Sequence, residues 1–466
     1  MKHRRASRLA GIGLSLGAAI GASGAPIQVV PNGLDEGDGY GSAVSVWGNV
    51  AVVGSPQDDE NGANAGAAYL LRRDCSSWVV DRKLVPEEVI AGDEFGTAVA
   101  VEGDRLVIGA VGSDGGAGAA YVYHFDGNDW GFVQKLPPDP APSRVKFGTA
   151  VALDGDVIVV GADEDNEHGT KSGAAYVFRF DGKRWAREQK LFAPDADDFD
   201  FFGQAVSVRG ETVLVGNPFA STTDTYAGAV HRFHFTGTTW VEQQKLVADD
   251  GHDGDGFGSS VMLDGDTAVI GAPFDNGTRT DSGSAYVFTW NGATWVQRQK
   301  LLPPTEALFH WFGHSVSLSG QALLIGEPGD LDSSATPGAA HLFRFDGAAW
   351  SLDRTLTAAD GAAQDGFGWS VGLFGDRAVF GAPMSDEAGN ASGSAYVDYI
   401  GPIGPGDFDG DGDADLIDFR SFTSCVTGPG PHAAIPAECA GSDFDQDGDV
   451  DLRDLAAFQR AFACGN

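Results

Sequence analysis

A Phe-Gly pair that recurs at a nearly constant interval constrains the fold of this chain more than any other feature. The glycine of the pair stands at Gly41, where tyrosine replaces the phenylalanine, and at Gly96, Gly148, Gly203, Gly258, Gly313 and Gly368. The spacing is the same throughout, except for one slightly shorter step between Gly96 and Gly148. Self-similarity at such a period indicates a repeat protein, because one unit of this size buries its faces only against its neighbours. We therefore predict seven units between residues 26 and 400.

Each unit carries the signals of four short antiparallel strands. A pair such as Gly155-Asp156 separates the first two strands, and a pair such as Asp181-Gly182 separates the last two. Glycine in the first place of a two-residue loop favours a hairpin turn of the primed type. Four strands repeated seven times predict an all-β fold, a seven-bladed β-propeller of four-stranded blades. A tryptophan on each complete fourth strand is expected to pack between sheets, at Trp78, Trp130, Trp185, Trp240, Trp295 and Trp350.

The two ends of the repeat region predict how the ring closes. In six units the leucine of a Gln-Lys-Leu-like segment precedes the next Phe-Gly glycine by a fixed offset, as Leu84 precedes Gly96. Val29 precedes Gly41 by the same offset, and the last unit ends near Tyr399 without a fourth strand. We therefore expect an N-terminal strand around Val29 to complete the last blade.

Residues 1–25 have the pattern of a secretory signal peptide. A basic start (Lys2, His3, Arg4, Arg5 and Arg8) precedes an apolar run from Leu9 to Ala22, and the small residues Ala22-Ser23-Gly24 suit cleavage. The run is shorter than the roughly 20 residues of a membrane-spanning helix. We expect a secreted or cell-surface protein without membrane insertion.

Charge narrows the classes of partner. The chain has 66 acidic and 30 basic residues, a formal net charge of −36. Long-range repulsion of this size disfavours nucleic acid and anionic lipid surfaces. The remaining class of partner is a protein or glycan ligand of unknown identity. The propeller is expected to be monomeric.

The repeats resemble bacterial FG-GAP repeats, which are related to the propeller of the integrin α-chain. The resemblance covers all seven units and is carried by motifs in fixed register, seen in Phe257-Gly258, Gly271-Ala272-Pro273, Gly283-Ser284-Ala285-Tyr286 and Gln299-Lys300-Leu301. It implies an adhesive, ligand-binding platform. Integrin-type calcium loops lie between the first two strands of a blade. Here that connection is a two-residue turn, so calcium sites of that kind are expected to be absent.

A meander of this type places the second-to-third loop and the blade-to-blade connection on one face of the ring, and both segments are acidic here. These acids are Asp58, Asp59, Glu60, Asp163, Glu164 and Asp165 in the loops, and Asp195, Asp197, Asp198, Asp200, Asp249, Asp250, Asp253 and Asp255 in the connections. Two interpretations stay open: a surface for cations or a basic ligand, and a solvated acidic rim that keeps the protein soluble.

After a linker at residues 401–405, a tail of residues 406–466 carries two copies of a twelve-residue loop, at 407–418 and 443–454. Calcium takes six to eight oxygen ligands, and alternating aspartates in a tight loop supply them, with a glycine at position 6 for the turn. The predicted ligands of two Ca²⁺ ions are Asp407, Asp409, Asp411, Asp413, Asp415 and Asp418 in the first loop, and Asp443, Asp445, Asp447, Asp449, Asp451 and Asp454 in the second.

Each loop is followed by apolar residues at helical spacing, as in Phe419 and Phe422. Loop and helix twice over, without a preceding helix, resemble a type I dockerin module, which docks cellulosomal enzymes onto cohesins. A Ser-Thr pair usually makes that contact, but the corresponding positions here are Leu416-Ile417 and Leu452-Arg453. The resemblance therefore implies a calcium-dependent fold and leaves a cohesin-like partner in doubt.

Four cysteines fit an exported protein, but sequence does not choose among their three full pairings. They are Cys75, Cys425, Cys439 and Cys464. We expect one bridge within the tail.

No catalytic constellation is evident, and the protein is predicted not to be an enzyme. The ten histidines are scattered, and no Gly-x-Ser-x-Gly motif occurs. The favoured function is a binding or adhesion platform that its tail docks to a partner or surface. The alternative is a component of an extracellular polysaccharide-degrading assembly, either a carbohydrate binder or a cryptic propeller enzyme with a dockerin anchor.

Overall fold

The computed structural model describes residues 25–74, 77–139, 144–221, 226–276, 279–305, 307–329 and 336–401, together with residues 422, 423, 425, 426, 450 and 454 of the tail. The predicted signal peptide lies outside the described residues, apart from residue 25. Among the described residues, no helix is both long enough and apolar enough to cross a membrane.

The described repeat region is a ring of seven four-stranded antiparallel sheets. Strand β1 (Ile27–Val29) precedes the first complete blade. Blades 1 and 2 contain β2 (Ala43–Trp47), β3 (Val50–Ser55), β4 (Ala67–Asp74), β5 (Ser77–Leu84), β6 (Phe95–Glu102), β7 (Arg105–Ala110), α1 (Ser113–Gly116, a single turn), β8 (Ala119–Phe125) and β9 (Trp130–Leu136). Blades 3 and 4 contain β10 (Phe147–Asp154), β11 (Val157–Ala162), β12 (Ala174–Phe180), β13 (Trp185–Leu191), β14 (Val206–Arg209), β15 (Thr212–Asn217), β16 (Ala229–Phe235) and β17 (Trp240–Leu246). Blades 5 to 7 contain β18 (Ser260–Asp264), β19 (Thr267–Ala272), β20 (Ser284–Trp290), β21 (Trp295–Leu301), β22 (Val316–Ser319), β23 (Ala322–Glu327), β24 (Ala339–Phe345), β25 (Trp350–Leu356), β26 (Ser370–Phe374), β27 (Arg377–Ala382) and β28 (Ser394–Tyr399).

Strand order follows the chain in blades 1 to 6, so each of these is a meander, and in blade 7 the N-terminal β1 lies beside β28. The first strands of neighbouring blades contact one another, which places them around the axis of the ring. The first hairpin has the predicted two-residue loop: Trp47 pairs with Val50, and only the glycine of the loop, Gly48, has a positive φ, 59°. This pattern corresponds to a primed turn with glycine in its first central position.

The N-terminal strand closes the ring as predicted. Strand β1 pairs antiparallel with β28, with Val29 opposite Ala395, and it supplies the fourth strand of blade 7. A second contact links blade 1 to blade 7, because Tyr40 forms a parallel bridge to Gly393. Six equivalent bridges join the other neighbouring blades, as between Gly66 and Phe95, so the seventh interface is built like the rest.

The Phe-Gly pair lies at the interface between blades. Phe95 and its counterparts are fully buried, and a β-carbon on Gly96 would lie 2.2 Å from the carbonyl oxygen of Ala67. Glycine is required here because two backbones meet at that distance and its φ is 101°.

The recurring tryptophans also join blades. The side-chain amide of Gln134 donates to the carbonyl of Trp185 at 2.8 Å and accepts from its N–H at 2.9 Å. The same pairing joins Gln189 to Trp240, Gln244 to Trp295, and Gln299 to Trp350. Five of the six tryptophans are buried and Trp78 is half-buried, which confirms a packing role.

Candidate ligand-binding face

Backbone hydrogen bonds place the long segments of each blade on one side of the ring. The connection before each Phe-Gly pair runs beside the second-to-third loop of the preceding blade, as where the N–H of Phe199 donates to the carbonyl of Thr170 at 2.7 Å. The same contact recurs where Gly92 meets Ala63 and where Phe309 meets Thr280. We call this side the loop face, and it is the face on which the sequence predicts the acidic segments to meet.

Several of the predicted acids are internal structural groups of this face. Asp58 is 2% exposed, and its carboxylate accepts from Lys83 and from the hydroxyl of Tyr69. Asp165 repeats the arrangement with Lys190 and Tyr176. These carboxylates therefore tie loops to the outer strands of their own blades.

Other acids hold turns in the connections. Asp200 accepts from the N–H of Asp197 at 2.9 Å, and Asp255 from that of His252 at 2.7 Å. Burial raises the pKa of Asp255 to about 6 even though that hydrogen bond lowers it.

The remaining predicted acids are mostly exposed and dispersed along the rim. Asp195 and Asp250 form ion pairs with Lys245 and Lys300. The carboxylate of Asp59 accepts from the N–H of Asn64, and that of Glu60 pairs with Lys83. The other exposed members of the connections are Asp197, Asp198, Asp249 and Asp253. Among the described residues no group of three or more side chains is placed to hold a metal ion.

Aromatic residues give the loop face a second feature, and they are concentrated in blades 4 to 7. In blade 3 the Nζ of Lys146 lies 3.1 Å from Glu164. At the same two positions of blade 4, Phe201 and Phe219 have ring centroids 5.6 Å apart. The ion pair of blade 3 is thus replaced by an aromatic pair in the neighbouring blade 4.

We call this set of side chains the aromatic arc. Its first group is Phe199, Phe201, Phe219 and Tyr226, whose successive ring centroids lie 6.5, 5.6 and 6.4 Å apart. Its second group is Phe274, Trp311, His314 and Trp369, with successive separations of 6.4, 6.4 and 4.3 Å, and Phe309 beside Trp311 in the chain. Phe199, Tyr226 and Phe309 are 47%, 45% and 38% exposed.

Four members of the arc occupy backbone positions that suit glycine. Phe199 and Phe201 have φ values of 66° and 56°, and Phe309 and Trp311 have 58° and 56°. Blade 5 has Gly254 and Gly256 at these two positions, with φ of 82° and 68°. Left-handed backbone is unfavourable for bulky residues and is often retained at functional sites.

A buried polar cluster lies beneath the second group of the arc. Glu327 accepts from Nδ1 of His310 at 2.5 Å and from Nε2 of His341 at 2.7 Å, while Nδ1 of His341 lies 3.0 Å from the Thr355 hydroxyl. Burial alone would raise the pKa of Glu327, but the hydrogen bonds from the two histidines outweigh it and lower that pKa. In the sequence these histidines look isolated. Comparison of the repeats would have found Glu327 and His341, because alanine and tyrosine stand at these positions in blades 3 and 5.

The predicted calcium ligands fall almost entirely outside the described residues; only Asp454 is described. Asp454 is fully buried and helical, and Val450, at position 8 of the same loop, is also fully buried. Phe422, which follows the first loop, is helical and buried as well. Cys425 is disulfide-bonded, and the other three cysteines, on which the predicted pairing within the tail depends, lie outside the described residues.

The fold and the loop face define the class of this molecule: a closed seven-bladed propeller with one face of long segments and one of short turns. The chain belongs to the FG-GAP repeat family. Seven matches to the family cover residues 28–71, 78–123, 130–178, 185–233, 240–288, 295–343 and 350–397. Each match joins the fourth strand of one blade to three strands of the next, so the first begins within β1.

Solved structures show likeness of fold alone. A chain of the crystal structure of the mitotic checkpoint complex is 10% identical, with a TM-score of 0.50, over 85% of this chain and 100% of that one. A candidate 6-phosphogluconolactonase from Bacteroides uniformis ATCC 8492 is 13% identical, with a TM-score of 0.49, over 70% of this chain and 88% of that one. The comparison with curated proteins finds no match.

Proposed function

We propose that this chain is an exported binding or adhesion protein whose loop face holds its ligand through the aromatic arc. One observation carries the proposal: aromatic side chains stand at left-handed positions that glycine fills in blades 1 and 5 and that Arg144 and Lys146 fill in blade 3. Each such residue costs on the order of 1–3 kcal/mol of backbone strain. Packing does not account for Phe199, because nearly half of its surface remains exposed.

Binding, rather than catalysis, suits the form of this face. Exposed aromatic rings contribute large contact areas at low cost in conformational entropy, and contiguous apolar patches mark interaction sites. The Glu327 cluster lies below the surface, with Glu327 5% and His341 2% exposed. It serves to order blade 6 beneath the arc.

The tail is the docking module of this proposal. Asp407, Asp409, Asp411, Asp413, Asp415 and Asp418, with Asp443, Asp445, Asp447, Asp449, Asp451 and Asp454, would hold two calcium ions. The buried Asp454 carboxylate and the buried Val450 side chain support it, since a calcium loop turns its last ligand and its apolar position 8 inward. Bound calcium would supply the folding free energy that so small a domain lacks.

A second candidate function is glycan binding within an extracellular polysaccharide-degrading assembly. Exposed rings such as Phe199 and Tyr226 could stack on the apolar faces of sugar rings. The dockerin-like pattern of the tail would then bring the propeller to that assembly.

A capture experiment tests the proposal. Full-length mature protein is immobilised and exposed to envelope and culture-supernatant fractions, and to insoluble polysaccharides, with calcium or with EDTA. Variants Phe199→Gly/Phe309→Gly and Asp407→Ala/Asp443→Ala are run beside it. We expect the first variant to lose the propeller ligand and the second to lose only calcium-dependent partners. Retention of every partner by both variants would contradict the proposal.

A further inference from the structure

We propose that the aromatic arc binds a cationic polypeptide segment, with lysine or arginine side chains over its exposed rings and apolar side chains between them. This inference rests on the proposed function and names the chemical class of its ligand.

The arc already holds one cation of its own chain. The Nζ of Lys171 lies 5.7 Å from the centroid of the Phe201 ring, while it also pairs with Glu164 at 2.9 Å. An ammonium group is attracted to the negative face of an aromatic ring, and the attraction grows as water is excluded. The environment of Phe201 therefore accepts a positive charge beside an apolar surface.

The two connections that carry Phe199, Phe201, Phe309 and Trp311 contain no lysine or arginine. They are residues 192–201 and 302–311; the loop that carries Phe274 contains one arginine, Arg279. Asp197 and Asp198 directly precede Phe199, and both are exposed. Carboxylates around exposed rings would attract a basic ligand over long range and would pair with its charges on contact.

Charge also separates a polypeptide from the other candidate ligand. A net charge of −36 attracts a basic segment over long range, but it exerts no such attraction on a neutral glycan. Two groups of rings on different blades suit an extended ligand that presents several side chains. Together these features favour a basic, partly apolar polypeptide.

Glycine substitutions separate binding from folding. In Phe199→Gly/Phe309→Gly two rings are lost, but the backbone at both positions keeps a conformation that glycine adopts freely. The double variant should therefore keep the melting temperature of the parent protein. Phe132→Ala is the matched control, because Phe132 is 48% exposed on β9, in the outer strand of blade 2 and away from the arc.

The probe is a fluorescent synthetic peptide of alternating lysine and leucine, titrated by anisotropy against the full chain. A peptide with glutamate in place of lysine and a neutral oligosaccharide are the comparison ligands. We expect the lysine peptide to bind, to weaken severalfold as salt is raised from low to above-physiological concentration, and to bind about tenfold more weakly to the double variant. The Phe132→Ala variant should bind like the parent.

Each other outcome counts against the inference. Equal binding to the parent and the double variant would reduce the effect to diffuse attraction by net charge. Binding of the oligosaccharide but not the peptide, lost in the double variant, would overturn the ligand class and leave the proposed platform standing. If the double variant also kept every partner in the capture experiment, the platform itself would be wrong.

Discussion

Phe199 and Gly254 occupy the same position of consecutive blades and share a left-handed backbone, with φ of 66° and 82°. A β-carbon at Gly254 would meet no atom within 4 Å. The cost of a side chain at this position is therefore conformational and not steric. Two residues further along, Phe201 and Gly256 also share a left-handed backbone, with φ of 56° and 68°, but a β-carbon at Gly256 would lie 2.8 Å from the Phe274 ring.

Gly254→Ala should destabilise the protein by about 1–2 kcal/mol, the usual cost of left-handed backbone in an L-residue. Gly258→Ala should cost more, because its β-carbon would lie 2.5 Å from the carbonyl oxygen of Ala229. Urea denaturation followed by tryptophan fluorescence measures both. Equal losses of unfolding free energy in the two variants would contradict this prediction, because the steric clash at Gly258 would then add nothing to the cost of left-handed backbone.

Removal of residues 26–30 should lower the melting temperature sharply, because β1 is the fourth strand of blade 7. Val29 is 8% exposed, and its burial alone contributes about 2 kcal/mol. The side-chain amide of Gln28 also donates to the Ser394 hydroxyl at 3.1 Å. Calorimetry of the truncated chain gives the loss. An unchanged melt would mean that the Tyr40–Gly393 bridge closes the ring without β1.

Repetition explains why the fold could be predicted from the sequence. Six or seven copies of each signal identify the strands and turns, and the offset between Val29 and Gly41 places β1 on the last blade. Small differences remained: β6 and β10 begin at the phenylalanine itself and carry a register shift, as between Phe95 and Val99. Periodicity identifies an element and does not fix its first residue.

The loop face was only partly predictable, because its features depend on contacts between distant residues. The sequence showed acidic loops, but not that Asp58 and Asp165 would be buried against Lys83 and Lys190. Nor did it show the aromatic arc, since Phe199 and Phe309 look like ordinary apolar residues until their backbone conformation is known. The distinctive features of the loop face arise at positions where one blade departs from the residues shared by the others.

Stability should increase as the pH falls from 7.5 to 5. Burial is the main cause that raises the pKa values of Asp38, Asp163, Asp255 and Asp398 to about 6, above the ordinary 3.8. Between those values these four carboxyls bind more protons in the folded protein than in the unfolded chain, so their contribution to the free energy of unfolding rises as the pH falls through 6. It outweighs the opposite contribution of a single group, His314, whose pKa burial lowers to about 4. Urea denaturation across this range checks it, and Asp255→Asn should flatten the slope. A slope of opposite sign would contradict the prediction.

Glu327→Ala should destabilise the protein by about 1–3 kcal/mol, because it leaves the half-buried imidazole of His310 and the buried imidazole of His341 without their acceptor. The double variant Glu327→Ala/His341→Tyr returns both positions to the residues of blades 3 and 5, so it should regain part of the loss. A double-mutant cycle by chemical denaturation measures the coupling between the two sites. Simple additivity would show that the two residues act independently.

Calcium should bind the full chain with a stoichiometry of two. Asp407→Ala and Asp443→Ala each remove the first ligand of one loop, so each should remove one ion, and the double variant should bind none. Isothermal titration gives the stoichiometry, and calorimetry should show that the propeller melts unchanged in the double variant. Asp59→Ala/Asp386→Ala is the matched control, because these loop-face carboxylates accept from backbone N–H groups of Asn64 and Ala391. Calcium that persisted in the tail variant and disappeared in the control variant would place the ions on the blades instead.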